Sequence, residues 1–228
     1  MKKNISFLGM MIFCFFGVLV GSALGLDNLT KIKGLQDALN VGIKSAIAQV
    51  GVENGFFNNS KIKIELPENI RKIGAAFQAI SGSDMAETLT LKMNRAAEKA
   101  TPKALEIFLK AIKGIKFDDA TKILTGGEKD AATKYLELQT SDSLKKAFYP
   151  IVKGTMEEVD AVKAYNEYIG NIASNFLMKD IDLDINRYVA GKAIDGLFKI
   201  VAEQEKKIRE NPAAQVTSIL KKVFGSLK

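Results

Sequence analysis

The stretch that decides the fold is INRYVAGKAIDGLFKIVAEQEKKIR, residues 185–209. Apolar residues recur in it every three or four positions, which places them on one face of an α-helix. The residues on that face are Ile194, Leu197, Phe198, Val201 and Ile208. On the wetter face, Glu203 and Lys207 have the i,i+4 spacing of a surface ion pair, and so do Glu205 and Arg209. The stretch predicts a long amphipathic helix whose apolar face needs other helices to cover it.

The helical period continues outward from this stretch through the rest of the chain. Caps, prolines and glycines divide it into about nine or ten helices, which begin near residues 29, 67, 84, 102, 118, 131, 141, 156, 185 and 212. Only residues 61–66, KIKIEL, alternate polar and apolar residues like an extended segment. This segment has no second strand to pair with, so we expect it to lie across the helices. Because no linker rich in Pro, Gly or Ser divides the chain, we predict one all-α domain over residues 26–228.

The beginning of the chain has the pattern of an export signal. Two lysines precede an almost wholly apolar run over residues 5–20, and the small residues Ala23 and Gly25 follow it. This order predicts a cleavable secretory signal peptide, residues 1–25. The alternative is an uncleaved membrane anchor, because the run approaches the ~20 residues that span a bilayer. The only cysteine, Cys14, lies inside the run rather than at a lipid-attachment position, so we expect an unlipidated periplasmic protein.

Composition excludes several classes of function. Removal of residues 1–25 from the 228 residues leaves 203, with two fewer basic residues and a net charge lowered from +7 to +5. The charges are interspersed rather than gathered in a basic stripe, so we expect no nucleic-acid partner. The remaining chain has no cysteine and no histidine, which excludes disulfides, Cys- or His-ligated zinc, Ser-His-Asp triads and Cys-His pairs. We expect no cofactor, and a general base would have to be a carboxylate or a lysine.

Three polar residues, Asn94, Arg95 and Glu98, lie within five positions of an Ala-rich helical pattern. Arg95 and Glu98 have i,i+3 spacing, so one interpretation is a structural ion pair. The alternative is that this face turns inward and the three side chains line a polar binding pocket.

A second candidate is Thr125-Gly126-Gly127, which resembles a fragment of a phosphate-binding loop but lacks its Lys-Ser/Thr ending and follows a helix. The structural interpretation is a helix stop and restart, although amides at the start of the next helix can hold an anion. Asp142 is placed to cap a further helix. A binding site would bring Thr125 and Asp142 together with residues 94–98 in one pocket, whereas scatter over the surface would indicate structural roles.

A metal candidate is the run DIDLDIN, residues 180–186, which places Asp180, Asp182 and Asp184 at alternate positions, as at the start of a calcium loop. The rest of the calcium pattern is absent, because Ile185 takes the sixth position, where glycine is needed. The alternative is that Asp184 or Asp182 caps the long helix that follows.

Seven stretches of the chain are similar to those of one family. They are GFFNN at 55–59, MNRAAE at 93–98, ILTGG at 123–127, TSD at 140–142, DGLF at 195–198, IRENPAA at 208–214 and LKKVFG at 220–225. Together they resemble a bacterial family of uncharacterised proteins, domain of unknown function 4197. The resemblance implies an exported, helical, single-domain protein with no established activity, and it carries over no functional residue. Some relatives look like lipoproteins, and this chain departs from them because it has no lipid-accepting cysteine.

Three functional hypotheses remain, and the first leads. It is a non-catalytic periplasmic protein that binds an envelope partner, or a small apolar or anionic ligand, between its helices. The second is a carboxylate-based hydrolase acting on an envelope polymer, which requires two converging acids, one of them with a raised pKa. The third is a structural protein that contacts the membrane surface through its basic, amphipathic final helix. The alternative for that helix is that its apolar face docks on the core.

Overall fold

The structure, a computed structural model, describes residues 25–118, 120–176 and 183–225. In these ranges the chain forms a single all-α domain, as predicted, with eight α-helices and no β-strand. The helices are α1 (Asn28–Val50), α2 (Glu68–Ser81), α3 (Met85–Gly114), α4 (Ala120–Thr125), α5 (Ala131–Glu158), α6 (Ala161–Phe176), α7 (Ile185–Glu210) and α8 (Ser218–Phe224). A 3₁₀ turn, Pro212–Ala214, lies between α7 and α8. The predicted signal peptide lies outside the described residues apart from Gly25.

Two predicted helix breaks are wrong, which explains why eight described helices replace the expected nine or ten. Pro102 lies inside α3, and residues 140–142 lie inside α5. Proline inside a helix costs about 3 kcal/mol or more through a lost hydrogen bond and a clash. At this place, however, Thr101 and Ala104 are fully buried, and the Thr101 hydroxyl donates to the carbonyl of Ala97 at 2.7 Å. Packing of this face therefore keeps α3 continuous.

The four long helices α1, α3, α5 and α7 form the core. α7 packs against α5 and α1, and α3 packs against the same two helices. The predicted apolar face of α7 is confirmed: Leu197 is fully buried, and the ring of Phe198 meets that of Phe108 edge-to-face, with centroids 5.4 Å apart. α6 packs on α3, and α2 packs on α6 at the periphery.

Residues 61–66 lie across the helices without forming a strand, as expected. Ile62, Ile64 and Leu66 are buried, which confirms the alternation read from the sequence. At Gly196 of α7 the segment approaches so closely that an added Cβ would lie 3.2 Å from the Cβ of Ile62. A glycine at this position therefore lets the segment pack directly on α7.

The final helix is shorter than predicted, because Pro212–Ala214 form the 3₁₀ turn and α8 begins only at Ser218. Leu220, Val223 and Phe224 are fully buried, and α8 packs mainly on α1. Val216, which precedes α8, is 66% exposed. The apolar face of α8 thus docks on the core. None of the described helices is both long enough and apolar enough to cross a membrane.

Candidate functional site

Asn94 ties the extended segment to α3. Its buried side chain accepts the backbone N–H of Ile64 at Oδ1, at 2.9 Å. Its Nδ2 donates to the carbonyls of Ile64 and Thr90, at 2.9 and 2.7 Å. The side-chain amide thus accepts a hydrogen bond from the N–H of one residue and donates one to its carbonyl, as the backbone of a neighbouring strand would. Asn94 therefore has a structural role at a buried backbone that has no strand beside it.

Glu98 and Arg95 hold the loop that precedes the extended segment. One oxygen of the buried Glu98 carboxylate accepts the N–H groups of Phe56 and Phe57 at 3.0 and 3.1 Å. The other accepts from Arg95 Nη1 at 2.6 Å. Arg95 Nη2 donates to Asn54 Oδ1 at 2.9 Å, at a residue whose φ of 67° is left-handed. The ion pair that the i,i+3 spacing indicated is present, and it fixes this loop on α3.

Arg95 and Glu98 also line a concavity of about 570 Å³ beside the turn that follows α1. The lysines in it are already engaged. Lys92 Nζ donates to a backbone carbonyl at 2.8 Å, and Lys99 forms an ion pair with Glu158, also at 2.8 Å. An anionic ligand would have to displace these contacts.

Thr125, Gly126 and Gly127 form a stop between α4 and α5. The Thr125 hydroxyl donates to the carbonyl of Thr121 at 2.9 Å, and the Gly126 N–H donates to the carbonyl of Lys122 at 2.8 Å. Gly127 has a φ of 80°, in the region that glycine tolerates and other residues rarely adopt. These contacts are those of a helix that ends and a new one that starts.

The amides at the start of α5 do hold an anion, but it comes from the protein itself. The Glu205 carboxylate, with the residue 1% exposed, accepts the N–H of Ala132 at 3.1 Å. It also accepts the N–H and the hydroxyl of Thr133, both at 2.7 Å. Arg209 pairs with the same carboxylate at 2.7 Å. A side chain of α7 therefore fills the place at which a bound anion was considered.

Arg209 also contacts the end of α4. Its side chain is only 8% exposed and donates to the carbonyls of Leu124 and Ile123, at 3.2 and 3.3 Å. The guanidinium also lies over the Phe224 ring, 5.2 Å from its centroid. One ion pair thus joins the end of α4, the start of α5, α7 and α8.

The prediction that Glu205 and Arg209 lie on the wetter face of α7 is therefore wrong. Helical spacing cannot show that the termini of two other helices cover that face. Glu203 is half-buried, and its ion pair is with Lys61 at 2.5 Å rather than with the predicted Lys207.

Asp142 lies within α5, which begins at Ala131, so it does not cap a helix. It lines a concavity of about 220 Å³ together with three basic side chains. Gly126 lines a different one of about 410 Å³. The structure therefore does not bring Arg95, Gly126 and Asp142 together, since each lies in its own concavity.

Asp184 caps α7, because its Oδ1 accepts the N–H of Arg187 at 2.9 Å. Asp180 and Asp182 lie outside the described residues. Within the described ranges, no group of three or more acidic side chains is arranged to hold a metal ion.

The remaining concavity of interest lies between α3 and α5 and measures about 650 Å³. We name it the α3–α5 groove; its apolar lining residues are Ile107, Ala111, Ile115, Leu144 and Ala147. Two exposed lysines, Lys110 and Lys116, stand at its edge. Among the residues that the structure describes, none forms an ion pair with either ammonium group. Within the described part of the chain, this groove therefore combines an apolar lining with two lysines outside any ion pair and one carboxylate, Asp118, which accepts from the Tyr135 hydroxyl at 3.2 Å.

The carboxyl groups whose pKa values are shifted lie outside the α3–α5 groove. At Asp130, burial acts to raise the pKa, but hydrogen bonds from Lys206 and Lys134 outweigh it and the pKa is lowered. Hydrogen bonds from lysines also lower the pKa of Glu158 and of Glu210. These shifts favour the ionised form, the opposite of what a general acid at neutral pH needs.

Comparison with known proteins identifies a family. The family model described as "Protein of unknown function (DUF4197)" matches residues 25–225. The chain belongs to the DUF4197 family. No curated protein and no solved structure matches it.

In this DUF4197 protein, five of the seven stretches that carry the family resemblance meet one another in space. Residues 93–98 contact residues 55–59 through Glu98, and residues 208–214 contact residues 123–127 through Arg209. Residues 220–225 join the second group through the contact of Phe224 with the guanidinium. These five stretches thus meet at two ion pairs, which account structurally for Arg95, Glu98 and Arg209.

Sequence reasoning missed Lys110 and Lys116. In this part of α3, Phe108 and Ile112 form an apolar stripe that is buried toward the core. Ile107 and Ala111 lie beside that stripe and are only partly buried. They line a groove next to the two lysines only because α5 packs alongside this part of α3, and the sequence does not show that packing.

Proposed function

We propose that this protein is a non-catalytic binding protein of the cell envelope, and that its ligand is an anionic amphiphile held in the α3–α5 groove. The observation that carries the proposal is a pair of ammonium groups, Lys110 and Lys116, which form no ion pair with any described residue and lie beside an apolar lining. One acyl chain with an anionic head group has the matching chemistry.

The dimensions and energies support this ligand class. The groove volume of about 650 Å³ lies in the range of small-molecule sites. The lining residues of α5 run from Tyr135 to Ala147, which are twelve positions apart, or about 18 Å along the helix. Each methylene removed from water contributes about 0.8 kcal/mol, so the chain rather than the head group would supply most of the affinity. The lysines would select the charge.

The alternatives have less support. A hydrolase would need a carboxyl group poised as an acid, whereas the buried carboxylates of Glu98 and Glu205 are bound by backbone N–H groups and arginine. For membrane contact through α8, the buried Leu220, Val223 and Phe224 are already covered, which leaves its exposed lysines. Export rests on the pattern of residues 1–25, and fractionation of cells into periplasm and cytoplasm tests it.

Titration calorimetry with laurate, below its micelle concentration, tests the binding. We expect saturable binding to the chain of residues 26–228, which carries every described helix. The double variant Lys110→Glu and Lys116→Glu should weaken it about tenfold or more, since each exposed ion pair contributes up to about 1 kcal/mol and reversal adds repulsion. Ala147→Trp, which fills the groove, should weaken it independently of charge.

The control is Lys113→Glu, an equal charge change at an exposed position of α3 that does not line the groove. Lysophosphatidylglycerol in place of laurate distinguishes a phospholipid source from a free fatty acid. If neither compound binds, or if the double variant binds laurate as tightly as Lys113→Glu does, the proposal is wrong.

A further inference from the structure

A second concavity, distinct from the α3–α5 groove, borders the extended segment. It measures about 590 Å³, and we name it the α5–α7 groove. Lys63 and Glu65 of the segment form one wall, the first turns of α5 form the other, and α7 lies between them. The groove therefore runs beside an extended stretch of backbone.

One edge of that backbone is already paired. Ile64 exchanges two hydrogen bonds with the side-chain amide of Asn94 on α3. In an extended chain, successive residues direct their backbone groups to opposite sides, so the carbonyl of Lys63 and the N–H of Glu65 face away from α3. The N–H of Lys63 belongs to the preceding turn and donates to the carbonyl of Asn59 at 2.8 Å. Tyr188 of α7 confirms this direction, because its hydroxyl donates to the carbonyl of Glu65 at 2.8 Å.

On this second edge, two groups stay open. Neither the carbonyl of Lys63 nor the N–H of Glu65 has a hydrogen-bond partner among the described residues. A carbonyl and an N–H that flank one residue are the pair that a single residue of a parallel strand engages, through its own N–H and carbonyl. The open pair therefore matches the backbone of an extended peptide.

The charges of the groove indicate which peptide fits. Lys192 and Lys199 lie on α7 seven residues apart, about 10 Å along the helix. Among the described residues, neither forms an ion pair with a carboxylate. Of the four acidic lining residues, Glu65, Asp130 and Asp195 are paired with lysines, and Glu137 forms no ion pair with a described residue. The uncompensated charge is therefore positive.

We propose that the α5–α7 groove binds an extended acidic segment of a partner polypeptide, which adds as a strand to residues 63–65. Backbone hydrogen bonds to Lys63 and Glu65 would align the segment, and its carboxylates would face Lys192 and Lys199. Strand addition of this kind takes affinity from the main chain and selectivity from alternate side chains.

A peptide array tests the proposal, probed with the purified chain of residues 26–228. The array holds capped peptides in which valine alternates with glutamate, with lysine or with serine. We expect the glutamate peptides to bind preferentially. The double variant Lys192→Glu and Lys199→Glu should bind the best of these peptides with at least fivefold lower affinity.

The decisive comparison is between Glu65→Pro and Glu65→Ala. Both remove the same exposed side chain, but only proline also removes the open N–H. We expect Glu65→Pro to bind the best glutamate peptide at least fivefold more weakly than Glu65→Ala does, with circular dichroism showing equal helix content for the two variants. Should Glu65→Pro not fold, a peptide N-methylated at each position in turn removes the complementary donor instead. Binding that is equal for glutamate and lysine peptides, or indifferent to both backbone changes, overturns the proposal.

Discussion

Replacement of Glu205 by alanine tests whether one buried carboxylate holds α4, α5 and α7 together. Glu205 is 1% exposed, accepts three hydrogen bonds from Ala132 and Thr133, and pairs with Arg209. Removing one partner of a buried ion pair costs about 3–5 kcal/mol, because the other charge stays buried without compensation. In this case the amides at the start of α5 also lose their acceptor. We therefore expect Glu205→Ala to lower the free energy of unfolding by about 3–5 kcal/mol.

Urea unfolding of the chain of residues 26–228, followed by far-ultraviolet circular dichroism, measures this change. With an m-value of about 3 kcal/mol/M, the midpoint should fall by roughly 1–2 M. The matched control is Glu203→Ala on the same helix, whose carboxylate is 33% exposed and pairs with Lys61 at the surface. Exposed pairs contribute about 0–1 kcal/mol, so the control should stay close to the unmodified chain. The reasoning is refuted if both variants unfold at the same urea concentration.

Three further predictions concern single residues. Asn94→Leu should lower the free energy of unfolding by about 2–4 kcal/mol, because it leaves the buried N–H and carbonyl of Ile64 unpaired. Urea midpoints measure this, and amide exchange at Ile64 that stays as slow as before would contradict it. Tyr168→Phe should leave stability unchanged or raise it by up to about 1 kcal/mol, because the buried hydroxyl has no partner within the described structure. A lowered thermal midpoint would show that this hydroxyl is bonded after all. The lowered pKa of Asp130 means that its contribution to stability is complete above the unfolded pKa of about 3.9 and is lost as the pH falls through the lower folded value. The chain should therefore lose more stability between neutral and acidic pH than Asp130→Asn does, and parallel midpoint curves for the two would exclude this role.

Most of the fold could be predicted from the sequence, because the apolar period of each helix is a local property. The stripe of α7 and the alternation of residues 61–66 both depend on neighbouring residues only. The predictions of helix breaks at Pro102 and at residues 140–142 were wrong, because packing outweighs the local sequence signals for a cap or a stop. Near Pro102, Thr101 and Ala104 are fully buried, and the sequence does not show what lies opposite them.

The candidate site could be predicted less well, because its elements come from distant parts of the chain. Asn94 and Glu98 stood out as polar residues in an Ala-rich helix, and they are buried. Their partners, Ile64 and the N–H groups of Phe56 and Phe57, are backbone groups, which every residue possesses and no sequence pattern marks. A polar residue in an apolar context therefore indicated burial correctly without indicating its partner.

This difference bears on where function should be sought in such a chain. A side chain whose hydrogen bonds are satisfied inside the protein can bind a ligand only by giving up those bonds, and for a buried charge that loss amounts to several kcal/mol. Arg95, Glu98 and Glu205 are committed in this way. Lys110 and Lys116, like the open backbone groups of Lys63 and Glu65, are exposed or half-exposed and lose nothing internal when a ligand arrives. In a protein without histidine or cysteine beyond its first residues, the groups that stay unpaired are the ones that recognition can use, and they are residues whose types are common on any helical surface.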